Sequence, residues 1–247
     1  MAQIRAGIGG WDFAPWRDTF YPKDVPIKKQ LEYASTQVNS IEINGTFYRS
    51  AKPEHFASWA AKTPDDFVFS VKATRYATNR KVLAEAGESI ERFMNSGLTE
   101  LGDKLGPILW QLAATKQFDA DDIAAFFKLL PAKLGKRKLQ HVLDARHDSF
   151  LNDDYFKLAR QHKVATVITD APKFPHVDEL TGDFVYARLM DAQSDIDTGY
   201  PKAALQQWAK QAHAWQQQAR SGQVYVYFIN GAKERAPAAA RHFLSLL

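Results

Sequence analysis

The sequence predicts an α/β protein folded as a single (β/α)8 barrel of the TIM type. Three observations predict it. Eight short β-rich apolar runs alternate with longer segments of helical period over 247 residues, a length such a barrel needs. Several of those runs end in a charged residue on one side-chain parity, which suits a barrel whose interior turns polar at one rim. The glycine pattern of an open, cofactor-binding sheet is missing: Gly7-Ile8-Gly9-Gly10-Trp11-Asp12 has Asp where the third glycine belongs, and no Gly-Lys-Ser/Thr phosphate loop occurs.

The elements follow in order. Ile4–Gly9 is the first strand. Ile27, Leu31, Ala34 and Val38 then recur at helical spacing behind Pro26, which is suited to a first helical turn. Ser40–Asn44 is the second strand; Asn44-Gly45 after it reads either as the start of a crossover or as a hairpin turn leading into Thr46-Phe47-Tyr48. Phe67–Lys72 and Pro107–Gln111 are the third and fourth. Ile123, Phe126, Phe127 and Leu130 mark a helix before the fifth, Leu139–Arg146. The sixth strand is Val164–Asp170. The segment after it, Ala171–Gly182, holds Pro172 and Pro175 and is short, so the barrel is expected to be irregular around its sixth helix. Phe184–Leu189 is the seventh strand. Pro201 opens a helix carried by Leu205, Trp208, Ala209, Ala212 and Trp215, and Gln223–Phe228 is the eighth strand, followed by Asn230-Gly231 and an Ala-rich helical tail.

Composition narrows the chemistry. Lys and Arg number 32 against 28 Asp and Glu, a net charge of +4, which permits an anionic partner without demanding one. Apolar residues at 45% and charged ones at 24% are those of a globular chain that buries its own core. There is no cysteine, which removes disulfides, thiolate metal sites and a cysteine nucleophile. Met1-Ala2-Gln3-Ile4-Arg5 lacks the apolar run of a secretory leader, and charge-free runs such as Ser221–Ala232 are shorter than the ~18 residues of a spanning helix. A cytoplasmic protein without a membrane partner is the expectation.

Side-chain parity along the strands selects the candidate site. Glu42 and Asn44 share one face and Ile41 and Ile43 the other; Val68, Ser70 and Lys72 share a face, as do Val142, Asp144 and Arg146, then Val164, Thr166, Ile168 and Asp170, then Tyr186 and Arg188. Gln111 closes the fourth strand. Charge inside a doubly covered strand is costly unless paired, so the recurrence predicts a charged rim. Glu42, Asp144, His147 and Asp170 are the candidate proton-moving residues. Lys72, Arg146 and Arg188, with Asn44 and Gln111, are the candidate anion-binding residues, because guanidinium forks match phosphate and carboxylate. A desolvated Lys72 is also a candidate amine nucleophile. Trp11, Trp16, Phe47, Tyr48, Phe150 and Tyr227 crowd the rim; Trp11 and Tyr48 are the candidates for stacking on a ligand. The basic stretch after the third strand, Arg75, Arg80 and Lys81 in the loop Ala73–Gly87, is a candidate lid or anionic rim, whereas Lys133, Lys136, Arg137 and Lys138 precede the fifth strand at the barrel bottom, as a solvated loop. No metal-ligand spacing and no nucleophile elbow is present, so neither metal nor cofactor is expected.

Several motifs fall together. Gly9-Gly10-Trp11, Phe20-Tyr21-Pro22, Glu42-Ile43-Asn44-Gly45-Thr46-Phe47-Tyr48 and Phe67-Val68-Phe69-Ser70-Val71-Lys72 are followed by Gly106-Pro107-Ile108-Leu109-Trp110-Gln111-Leu112, Arg146-His147 with Ser149, Tyr186-Ala187-Arg188-Leu189 and Val224-Tyr225-Val226-Tyr227-Phe228. In this order they resemble the YecE-like family, domain of unknown function 72, over nearly the whole chain. The resemblance implies a TIM-type barrel and brings no reaction with it. Against the family pattern, Asp144 stands for Glu, Phe150 for Trp, Ala113-Ala114 for Pro-Pro and Met190-Asp191 for His-Gly.

The expected function is an enzyme acting on a small phosphorylated or otherwise anionic substrate in this charged rim. A noncatalytic nucleic-acid or anionic-ligand binder using the same pocket is the alternative, and a metal-dependent hydrolase a second one.

Overall fold

The computed structural model describes residues 3–247; Met1 and Ala2, which begin the stretch read for a leader, lie outside them. Nine parallel strands form one sheet: β1 (Gln3–Gly9), β2 (Ser40–Ile43), β3 (Val68–Lys72), β4 (Leu105–Gln111), β5 (His141–Asp144), β6 (Ala165–Thr166), β7 (Ile168–Thr169), β8 (Val185–Leu189) and β9 (Gln223–Phe228). β6 pairs with β5, and β7 pairs with β8. Only Val167 separates β6 from β7, so the two ends of the sheet are halves of one stave. The nine strands therefore make the eight staves that the sequence predicts, and the barrel closes through the divided sixth.

The jacket is six helical crossovers and a helix after the last strand. It comprises α1 (Gln30–Gln37), the short α2 (Gly45–Tyr48) with α3 (Pro53–Ala61), the short α4 (Arg75–Thr78) with α5 (Gly87–Met94), α6 (Ala120–Leu129), α7 (Asp153–Gln161), α8 (Lys202–Gln218) and α9 (Ala236–Leu244). The Asp119 side chain caps α6 at the Asp122 amide, 2.9 Å, and Asn152 caps α7 at the Tyr155 amide, 2.9 Å. No helix follows β7. Pro172 and Pro175 cannot donate to a helical ladder, and the segment is tied down instead by Thr181 Oγ1 donating to the Val164 carbonyl, 2.8 Å. None of the helices among the described residues is long and apolar enough to cross a membrane.

Three connecting stretches take definite form. Asn44-Gly45 opens α2 rather than a hairpin, and Thr46 Oγ1 donates to the Lys72 carbonyl, 2.7 Å, fastening this turn to the end of β3. The loop Ala73–Gly87 is not a bare lid: it carries α4 and a 3-10 turn, Leu83–Glu85. At the bottom, Lys133–Leu134 and Arg137–Lys138 pair as a small antiparallel hairpin instead of a plain loop.

The barrel interior is layered. Val68, Leu109, Val142, Ala165, Val167, Phe184, Tyr186, Tyr225, Tyr227 and Ile229 form an apolar cluster separate from the jacket core. Its upper edge is hydroxylated: Tyr227 Oη lies 2.7 Å from Ser40 Oγ, and Tyr186 Oη 2.7 Å from Ser70 Oγ. One parity prediction is corrected here. On the sixth stave Ala165 and Val167 face the interior, while Val164 and Ile168 belong to the jacket core. The expected inward set, Val164, Thr166, Ile168 and Asp170, is thus the outward one. All eight residues from Val164 to Ala171 except Asp170 are small or apolar or hydroxylated, so hydrophobicity could not fix the face.

Candidate functional site in the barrel mouth

Above the hydroxyl layer lies an ionic one, built from strand ends. Glu42 on β2 sits between Ile41 and Ile43, which turn outward into the jacket core and leave its carboxylate inside. Arg188 on β8 reaches across the barrel to it. Its Nη2 lies 3.0 Å from Glu42 Oε1 and its Nε 3.1 Å from Oε2, a bidentate pair. Tyr186 Oη donates to the same carboxylate at 2.6 Å. Arg188 Nη1 also meets Asp144 Oδ2 at 2.6 Å. Arg146, just past β5, closes on Asp144 with Nη2 at 2.9 Å and on Gln111 Oε1 at 2.8 Å.

The electrostatics follow from this packing. Burial alone would push the Asp144 carboxyl up, but the guanidinium groups of Arg188 and Arg146 outweigh it and hold the group below the ordinary carboxylate value. Burial would likewise discharge Arg188, and Glu42 with Asp144 reverse that. Burial raises Tyr186, and the Glu42 charge beside it raises it further, so the phenol keeps its proton. Lys72 differs. Burial lowers it, Arg188 lowers it again, and Glu42 and Asp144 only partly restore it, leaving the ammonium at about 8.

A cavity of about 290 Å³ opens above this layer. Lys72, Arg146, Arg188, Asn44, Gln111 and Tyr48 line it, together with Trp16 and the post-β9 residues Asn230 and Lys233. The charges brought to its wall are all cationic. Glu42 and Asp144 lie underneath, each spent on guanidinium groups. Arg146 is held from the far side by the Phe174 ring, 4.4 Å from its guanidinium carbon. Lys72 Nζ stands 4.0 Å over the Phe47 ring. Lys233 Nζ stands 4.4 Å over Phe13, and burial lowers its pKa against the pull of Asp12.

Besides Glu42 and Asp144, which lie underneath, three further predicted site residues are not brought to the cavity wall. Asp170 has the outward parity of its stave; its carboxylate accepts from the Met190 amide at 2.5 Å and the Tyr200 hydroxyl at 2.8 Å, and burial raises its pKa. His147 Nδ1 accepts from the Ser149 amide at 3.1 Å and so caps the short turn Asp148–Phe150. Trp11 packs edge-on against Trp59 and Phe69. Among the other rim aromatics, Tyr227 lies inside the barrel and Phe150 packs on Tyr155 in the jacket. Lys233 and Asn230 escaped the sequence reading; their signal was a cation and an amide just past the last strand, on the same rim. Among the described residues no three His, Cys, Asp or Glu side chains gather as a metal would require, and the two carboxylates of the ionic layer are already paired. The donor set therefore does not fit a metal-dependent hydrolase.

Comparison with known proteins places the chain. The family described as "Protein of unknown function DUF72" matches residues 5–247. The chain belongs to the DUF72 family. It is 27% identical over 147 residues to the UPF0759 protein YecE of Escherichia coli (strain K12), a match over 60% of this chain and 50% of that one; the chain spans about half the length of the curated relatives it matches. The crystal structure of a DUF72 family protein from Thermotoga maritima superposes with a TM-score of 0.81 over 98% of both chains at 22% identity. One from Enterococcus faecalis gives 0.77 over 99% of this chain and 95% of that one at 18% identity. At such identities these likenesses show the DUF72 fold and nothing finer.

Proposed function

We propose that this DUF72 protein is an enzyme that acts on a small phosphorylated or otherwise anionic substrate bound in the barrel mouth. One observation carries the reading: Lys72, Arg146, Arg188 and Lys233 line the cavity and no carboxylate does. Four cations over two buried carboxylates leave a net positive wall that attracts an anion, and guanidinium groups grip phosphate or carboxylate through paired donors. The position supports it, since the cavity lies at the C-terminal ends of the strands, where barrel enzymes keep their chemistry. At about 290 Å³ the cavity is near the lower end of small-molecule sites, which favours a compact ligand.

Exposed Arg75, 6.0 Å from the Tyr48 ring and 5.7 Å from Tyr76, favours a second reading in which a nucleic-acid strand runs along the rim. Salt separates the two, because a polyanion contacting many phosphates loses affinity steeply with ionic strength. The test is thermal unfolding in phosphate against chloride at matched ionic strength. Phosphate at ~100 times its Kd is expected to stabilise the protein by about 2.7 kcal/mol, and Arg146→Ala is expected to lose most of that gain. Equal stability of both proteins in both salts would contradict the reading.

A further inference from the structure

We propose that Lys72 is a nucleophilic amine that condenses with an aldehyde or ketone carbonyl of the anionic substrate, so that the substrate class is a carbonyl compound carrying phosphate or carboxylate. The inference rests on the anion-binding reading of the same cavity and adds the chemistry performed there.

The geometry singles out this lysine. Lys72 lines the cavity although only 6% of the residue is exposed. Among the described residues it makes no salt bridge: the two nearby carboxylates are taken, Glu42 by Arg188 and Asp144 by Arg188 and Arg146. Its one contact of note is the Phe47 ring at 4.0 Å. A lysine kept only to neutralise a buried carboxylate would be placed against one. The charged groups facing it are Glu42 from β2, Asp144 and Arg146 from the end of β5, and Arg188 from β8; burial and the two guanidinium groups outweigh the two carboxylates and leave its pKa at about 8. Near neutral pH a useful fraction of such an amine is unprotonated, whereas an ordinary lysine, with a pKa of about 10.4, is almost wholly charged.

The step balances without a co-reactant. Lys72 first loses its ammonium proton to solvent. The Nζ lone pair then attacks the carbonyl carbon, and one of the two N–H protons passes to the carbonyl oxygen to give a neutral carbinolamine. Loss of the remaining N–H proton and the hydroxyl as water leaves a C=N bond to Nζ. The substrate anion, held by Arg146 and Lys233 on the same cavity wall, supplies the orientation.

The test uses the full chain and glycolaldehyde phosphate with cyanoborohydride, which reduces the imine to a stable secondary amine, followed by peptide mass mapping. At pH 7, labelling of Lys72 is expected to exceed that of exposed lysines such as Lys62 and Lys210 by at least ~10-fold, because its free-amine fraction is larger. The rate should rise as pH passes through about 8. Inorganic phosphate should slow labelling at Lys72 and nowhere else. Lys72→Arg, which keeps the charge, should abolish the preferred adduct while labelling at Lys62 and Lys210 stays unchanged. Labelling spread evenly over surface lysines, with phosphate still stabilising the wild type, would overturn the amine chemistry and leave anion binding standing. Preferred labelling of Lys72 that phosphate does not slow would overturn the anionic substrate class.

Discussion

Arg146 and Arg188 share a carboxylate, yet their removal should have opposite signatures. Arg188 is 2% exposed and neutralises both Glu42 and Asp144. Arg188→Ala would bury two carboxylates with one guanidinium between them, and breaking a buried pair in this way costs about 3–5 kcal/mol. Arg146 stands at the cavity edge, and Asp144 keeps its 2.6 Å contact to Arg188 without it. Arg146→Ala is expected to shift stability by less than about 1.5 kcal/mol. Denaturant unfolding of the two variants beside the wild type measures both. Comparable losses of several kcal/mol would make Arg146 a structural clamp. The sequence showed these side chains as a group because parity placed charges at the ends of successive strands. It did not show that Glu42 and Asp144 lie beneath the cavity, since pairing between staves on opposite sides of a barrel leaves no trace in local spacing. The capping role of His147 was hidden for a related reason: a histidine beside Arg146 that caps its own turn reads the same as one facing a ligand.

Among the elements, β4 and β5 are joined by more than their ladder. Trp110 Nε1 donates to His141 Nδ1 at 3.1 Å, and His141 Nε2 stands 2.8 Å from the Pro131 carbonyl before β5. This arrangement needs a neutral ring, with Nδ1 accepting and Nε2 donating. Burial lowers the His141 pKa from 6.5 to about 4, against a modest opposing effect of the Pro131 carbonyl. The folded value lies below the unfolded one, so the stability it contributes is present above pH 6.5 and is lost as pH falls towards 4. The full loss is about 3 kcal/mol. Asp170, whose pKa is raised by burial, contributes with the opposite sign at low pH, and Asp144 loses stability only below its ordinary range. Unfolding free energies of the wild type and His141→Gln at pH 7 and 4.5 isolate the histidine: the wild type should lose more on acidification than the variant, and parallel losses would contradict the assignment. At this scale the sequence was legible where period and punctuation agreed. The eight runs, the proline-broken crossover after the sixth and the long helix behind Pro201 all formed. The division of the sixth stave at Val167, and hence the outward parity of Asp170, was not legible, because both faces of that stave are small or apolar.

Over the whole molecule, the barrel interior passes from an apolar layer around Leu109, Val142 and Val167, through the hydroxyls of Ser40, Ser70, Tyr186 and Tyr227, to the paired ions of Glu42, Asp144 and Arg188. Tyr186 of the hydroxyl layer donates to Glu42 of the ionic one, and the four cations at the mouth outnumber the two carboxylates beneath them. Buried ionic groups are weak sources of stability, so a layer of this kind at the C-terminal end of the barrel fits the proposed ligand-binding purpose better than a structural one. The direct measurement is a crystal structure of the protein grown or soaked in phosphate. The account predicts a phosphate in the cavity within hydrogen-bond reach, about 3 Å, of Arg146 or Arg188. Phosphate bound only at surface lysines, with the cavity holding water and both guanidinium groups contacting protein alone, would contradict it.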